Sequence, residues 1–360
     1  MYTVKSRRRA AFRAAAALSA AAGLLVPLTA TSNAAPVPSV PVAKAPSAIR
    51  TISSGWNFPW GVSWLPDGSA LINERDALDV FRVAQSGART KATAEPRIAA
   101  ANGGDHLLGI AVSPNWRQDH HVFVYHAAKE GSRIVRLTFD GSKLTGHKTL
   151  VSGIKSGLHD GGRIKFGPDG YLYATTGDGD GSSSAQDKYS LNGKILRMTK
   201  AGKPAPGNPF GNLVYSYGHR NPQGLAWDDQ GRLWETEIGE DRYDELNLVK
   251  PGKNYGWPAC EGACSAAGMT NPRYQWRSAD GGVPSGMAYA DGALYVAALK
   301  GQRLWRIPLT GTSTGTPVAY YTNGFGRLRD VVKVPGRSAL WITTDRAGKN
   351  ADRVLQVELG

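Results

Sequence analysis

Short apolar runs alternate along this chain with tight polar turns, and one arrangement recurs six times. It reads WLPDGSALI from Trp64, FGPDGYLY from Phe166, WDDQGRLW from Trp227, YADGALYV from Tyr289 and VPGRSALWI from Val334. A longer version starts with SPNW at Ser113 and ends in VFVY from Val122. Each unit sets an Asp-Gly-type turn between two short apolar stretches, which predicts a β-hairpin. The units recur at roughly 45–60 residues, the spacing of propeller blades with loop insertions. No long amphipathic helical pattern interrupts them. The expected fold is all-β, a six-bladed β-propeller, whose ligands bind where strand-end loops converge on the central channel. A pair of β-sandwiches would leave the regular repeat unexplained.

Composition agrees with a globular β-protein. Of 360 residues, 41% are hydrophobic and 20% charged, and the 44 Gly and 21 Pro supply many turns. The net charge of +14 is partly that of an N-terminal segment, residues 1–34, which carries Lys5, Arg7, Arg8, Arg9 and Arg13 and no acid. A basic start, an apolar Ala-rich run and the small-x-small sequence Ser32-Asn33-Ala34 mark it as a cleaved signal peptide. Without it the charge falls to +9. No basic run with interleaved aromatics follows, which speaks against a nucleic-acid partner. No Cys follows the apolar run either, so no lipid anchor is expected. Residues 35–48 read as a flexible lead-in and residues 49–360 as the propeller. Cys260 and Cys264 are the only cysteines. In an exported protein they are expected to pair as a small loop staple.

The chemistry concentrates between Gly157 and Pro258. His159 and Asp160 lie in a Gly-rich loop before a strand, where a neutral imidazole can take a proton near neutral pH. The loop HRNPQG brings Arg220, Asn221 and Gln223 to another strand end. Arg220 offers two parallel donors to a carboxylate oxygen pair. Glu240, Asp241, Asp244 and Glu245, with Asn254 and Tyr255, are oxygen ligands that suit calcium without EF-hand spacing. A solvated acidic loop is an equal reading of those residues. Lys300, Arg327 and Arg329 stand at strand ends. Singly such cations face solvent; together with Arg220 they would form an anion-binding rim.

Six segments in order, LHDGGRIKFGPDGYLY, GDGDGSSSAQDKYSLNGKILRM, YGHRNPQGLAWD, DELNLVKPGKNYGWP, ALKGQRLWRI and GRLRDV, resemble the soluble quinoprotein glucose/sorbosone dehydrogenase family, the PQQ-dependent aldose sugar dehydrogenases. The resemblance runs from about Gly55 to the C-terminus. It implies the same six-bladed propeller, oxidation of an aldose at its anomeric hydroxyl to a lactone, and reduction of pyrroloquinoline quinone (PQQ) held with Ca2+. It implies His159 as general base, with Arg220 polarising the quinone, and Arg220, Asn221, Gln223, Lys300, Arg327 and Arg329 on the cofactor. Asp160 and Gln223 fall beside the sugar. The metal is expected on the carbonyls of Gly239 and Glu240, where the family has Gly-Pro, and a second, structural calcium around Glu245 and Tyr255. An aldose, an external electron acceptor and a monomeric or homodimeric state are the implied partners.

Two positions depart from the family. Gly104 stands where a Gln or Glu near the sugar is usual, and Asp105 is the candidate replacement. No counterpart of a cofactor-contacting threonine appears near residues 280–285. Two other functions compete. A calcium-dependent lactonase or esterase propeller would need a carboxylate/asparagine metal cage in the channel and no cationic rim. A non-catalytic secreted carbohydrate-binding propeller would need no base at His159.

Overall fold

The computed structural model describes residues 43–94, 105–280, 282–345 and 348–360. The expected signal peptide and Gly104 lie outside these residues.

The recurring turns form hairpins because their side chains fold back locally. In the first, Asp67 Oδ1 accepts the Ser69 N–H at 2.8 Å, and Gly68 takes φ +83°. Short acidic side chains bonded to backbone two residues on, followed by a residue free to adopt positive φ, define such turns. In the second repeat the turn is lengthened by one short helix, Trp116–Asp119.

All six turns join the first and second strands of a blade. The first strands are Pro59–Trp64, His106–Val112, Gly161–Phe166, Pro222–Trp227, Pro284–Ala290 and Arg327–Lys333. They touch one another cyclically, the last returning to the first, so the expected six-bladed propeller is the observed fold. Two blades are also joined edge to edge by a parallel pairing, Thr93 with Lys143 and Ala94 with Leu144. The last blade takes its outer strand from the other end of the chain. Pro46–Trp56 pairs antiparallel with Asp352–Leu359, with Thr51 opposite Leu355. This strand begins at Pro46, inside the stretch expected as a lead-in, because its amides complete the sheet that closes the ring.

The core lies between blades. Trp56, Ile72, Trp341 and Val354 are fully buried where first and last blades meet, and the Trp64 and Trp341 rings lie 4.5 Å apart. Burying one such side chain contributes about 1.5–3 kcal/mol, so ring closure is well supported. Every first strand has a register irregularity near its start, between Pro59 and Gly61, Leu107 and Ile110, Gly161 and Ile164, Pro222 and Gly224, Pro284 and Met287, and Leu328 and Asp330. Bulges at one level re-aim side chains toward a shared end of the channel. Glycine permits the close approach there: a Cβ on Gly224 would stand 2.5 Å from Ser285 O. Among the described residues no helix is long and apolar enough to cross a membrane.

Candidate active site

The Asp-Gly turns mark one end of the propeller, and the polar residues gather at the other. His159 precedes the strand Gly161–Phe166, and Asp178 follows its hairpin partner Leu172–Thr176. Chain reversal therefore brings them together. His159 Nδ1 lies 2.9 Å from Asp178 Oδ1, and the other oxygen, Oδ2, accepts Trp257 Nε1–H at 2.8 Å. Burial works against ionisation of Asp178, but hydrogen bonds from His159 and Trp257 outweigh it and hold its pKa below the ordinary carboxylate value. An ionised Asp178 favours the tautomer of His159 with its proton on Nδ1, leaving Nε2 as the acceptor.

The loop HRNPQG is built on Glu237. Its Oε1 accepts the Arg220 and Asn221 N–H groups at 3.2 and 2.5 Å, and its Oε2 lies 2.9 Å from His219 Nδ1. His219 is fully buried, stacked on Tyr255 and bonded to Ser216 Oγ at 2.8 Å. It therefore supports the loop from behind. Burial, and secondarily the Lys194 charge, push its pKa down to about 3. Asn221 Oδ1 accepts from Gly161 N at 3.2 Å and from Gln223 Nε2 at 3.0 Å, tying two first strands together. Arg220 Nη1 donates to Gly239 O at 2.6 Å, and its Cζ lies 5.4 Å from the Trp257 ring.

Several cavities open at this end, and two of them bear on the site. A central one of 170 Å³ is lined by Phe58, Arg75, Asp160, Asn221, Gln223 and Arg329, among others. A side cleft of 750 Å³ is lined by His159, Asp178, Asp180, Glu240, Trp257 and Glu261, among others. Leu158, 88% exposed, lines both. The central cavity has a built floor. Arg163 is buried, Cζ 4.0 Å over the Trp60 ring, and pairs with Asp330 at 2.9 Å. Arg329 is also buried, against Phe58 and Trp60, and pairs with Asp345 at 2.7 Å. Among the described residues, the buried polar atoms around the site without a hydrogen-bond partner include Gln223 Oε1, Arg163 Nη2, Arg220 Nε and Arg329 Nε.

Among the expected site residues, Asp160, Asn221, Gln223 and Arg329 line the central cavity, and His159 and Glu240 line the cleft. Arg327 shares Asp345 with Arg329, at 3.3 Å. Lys300 is exposed and directly follows Leu299, which lines the central cavity. Asp105, expected beside the sugar, is buried with Oδ2 3.2 Å from His126 Nε2, because strand pairing turns it into its own blade. Glu245 Oε1 accepts the Gly262 N–H at 2.7 Å, and Tyr255 Oη donates to Leu248 O at 2.8 Å. Neither residue is in the two clusters of metal-competent side chains among the described residues, His159/Asp178/Asp180 and His219/Glu235/Glu237. Cys260 and Cys264 form the expected disulfide.

Sequence reasoning passed over Asp178, Trp257, Arg75 and Glu261. Asp178 had a signal, the GDGDG run directly after a strand. Glu261 had none.

Residues 56–355 match the family model described as Glucose / Sorbosone dehydrogenase. The chain is 45% identical to the PQQ-bound form of aldose sugar dehydrogenase from Streptomyces coelicolor, with a TM-score of 0.82 over 88% of this chain and 100% of that one. It is 28% identical to aldose sugar dehydrogenase YliI of Escherichia coli, over 90% of this chain and 95% of the relative. It is 31% identical to quinoprotein glucose dehydrogenase B of Acinetobacter calcoaceticus, over 62% and 55% of the two chains.

Proposed function

Because this chain belongs to the glucose/sorbosone dehydrogenase family, we propose that it oxidises the anomeric hydroxyl of an aldose to the lactone. PQQ is the hydride acceptor and His159 the general base. The observation that carries the reading is the His159–Asp178 pair, 2.9 Å apart on the wall of a 750 Å³ cleft.

The residues fit the cofactor. A carboxylate-bearing quinone needs cationic and amide donors, and Arg329, Arg75, Asn221 and Gln223 line one cavity. The unpartnered Arg220 Nε and Arg329 Nε are buried donors that such a ligand would satisfy. Arg220, Asn221, Gln223 and Arg329 would hold it, with Lys300 and Arg327 adding charge at the mouth. Calcium would take the Gly239 and Glu240 carbonyls. The Gly239 oxygen already accepts from Arg220 and keeps a second lone pair for a metal. When bound, the quinone supplies a hydride acceptor and calcium a Lewis acid on its carbonyl.

The protein's own part is proton transfer and orientation. His159 Nε2 takes the hydroxyl proton as the anomeric C–H bond gives up its hydride, leaving the lactone carbonyl. Asp178 holds the ring and stabilises the imidazolium that forms. Asp160 and Gln223 would orient the sugar hydroxyls. Electrons leave to an external acceptor, and the N-terminal segment directs export.

Reconstitution tests this reading. Apo-protein is mixed with PQQ and calcium, then supplied with aldoses and an artificial electron-accepting dye. Dye reduction is expected, and it should vanish in His159→Ala. Quinone binding with no turnover of any aldose would leave a binding protein instead, and ester hydrolysis without the quinone would make it a lactonase.

A further inference from the structure

Residues 239–243, which carry the proposed metal carbonyls, are held by a group far from their own strands. Glu261 Oε1 accepts four successive backbone N–H groups: Glu240 at 2.7 Å, Asp241 at 2.9 Å, Arg242 at 2.8 Å and Tyr243 at 3.1 Å. Successive amides converging on one point form a concave nest for an anion. Here the anion is the chain's own carboxylate.

The carrier of that carboxylate is itself pinned. Glu261 follows Cys260 inside the loop closed by the Cys260–Cys264 disulfide. The backbone of that loop is tied down by side chains on three sides. Gly262 N donates to Glu245 Oε1 at 2.7 Å, Ala263 N to Gln275 Oε1 at 2.7 Å, and Cys264 N to Asn271 Oδ1 at 2.9 Å. The contact leaves no slack. A Cβ on Gly239 would stand 1.8 Å from Tyr243 O and 2.7 Å from Glu261 Oε1, and one on Gly262 would stand 2.8 Å from Tyr243 Cδ2.

We propose that Glu261 is a positioning residue for the cofactor loop: the disulfide-stapled loop presents its carboxylate to residues 239–243 and fixes the Gly239 and Glu240 carbonyls toward the cleft. The inference rests on the reading that those carbonyls take calcium beside the quinone. Its physical basis is entropy. A loop of sequence Gly-Glu-Asp-Arg without proline would be ordered at the expense of metal affinity, and a loop ordered beforehand is not. Gln275, Asn271 and Glu245 act through Glu261 and not on the metal loop itself.

The test compares wild type, Glu261→Ala and Glu261→Gln as full chains. Amide hydrogen exchange in the apo-protein reads the clamp, and the calcium concentration for half-maximal PQQ uptake, followed by fluorescence, reads its consequence. In Glu261→Ala the amides of residues 240–243 are expected to exchange at least about tenfold faster, and the calcium requirement to rise by a similar factor. Glu261→Gln keeps the acceptor oxygen without the charge and should recover part of both. Reducing the disulfide should raise the calcium requirement of wild type and leave that of Glu261→Ala where it is. A purely structural role would lower the unfolding midpoint without moving the calcium requirement. An unchanged calcium requirement in Glu261→Ala overturns the inference, whatever the exchange shows. A wild type that takes up no quinone at any calcium concentration overturns the cofactor reading and this inference with it. That failure shows before any substitution, whereas failure of the clamp alone leaves wild type responsive and Glu261→Ala identical to it.

Discussion

Asp178 grips His159 by one carboxylate oxygen, at 2.9 Å from Nδ1, while Trp257 Nε1–H holds the other at 2.8 Å. The histidine ring is thus oriented from two blades at once. Asp178→Asn should retain the shape and lose the charge that stabilises an imidazolium. The expected result is a fall in kcat of about tenfold to a hundredfold, with PQQ affinity unchanged. Steady-state kinetics on the reconstituted enzyme, alongside a quinone titration, check both halves.

Glu237 satisfies the amides of Arg220 and Asn221 and pairs with His219, all inside the protein. Glu237→Ala leaves these donors unpaired and should cost about 2–5 kcal/mol of stability. Glu237→Gln should cost less, because one oxygen remains for the amides. Urea unfolding of the apo-proteins measures the difference.

Arg329 is buried between aromatic rings and neutralises Asp345. Arg329→Met removes the shorter of the two arginine contacts to Asp345, leaving Arg327 at 3.3 Å, and should destabilise the fold by about 1–3 kcal/mol. Adding Asp345→Asn should restore much of the stability without restoring quinone affinity. Recovery of both would remove Arg329 from the binding set.

His219 carries a pH signature. Its folded pKa is about 3, against 6.5 for a free imidazole. Below 6.5 the unfolded chain takes up a proton that the folded chain refuses, so stability drops as pH falls from 6.5 toward 3. The slope from this group approaches about 1.4 kcal/mol per pH unit. His219→Gln keeps a donor and an acceptor but cannot titrate. Its stability between pH 7 and pH 4 should fall less steeply than that of wild type, as denaturant midpoints across that range would show.

The blade repeat was legible in the chain because an Asp-Gly turn is a local object. Asp67 bonds Ser69, two residues on, and Asp169 bonds Tyr171 in the same way. Alternating short apolar runs then left few ways to bury their surface other than a ring of blades. The candidate residues were legible for a different reason: His159, Arg220, Asn221 and Gln223 sit in compact motifs that resemble a family.

What closure of the ring decided was absent from any local pattern. Pro46–Trp56 became the outer strand of the last blade only because its partner Asp352–Leu359 lacked one. Asp105, polar and next to a glycine turn, looked available to a sugar but was drawn against His126 by the pairing of its own blade. Glu261 gave no sign of purpose, since the amides it holds come into range only when the disulfide loop docks. The hairpins, the blade number and the motifs that resemble the family could be read along the chain, since these depend on neighbours a few residues apart. Which oxygen faces which nitrogen was settled only on folding, by proximity within and between blades that sequence separation does not encode.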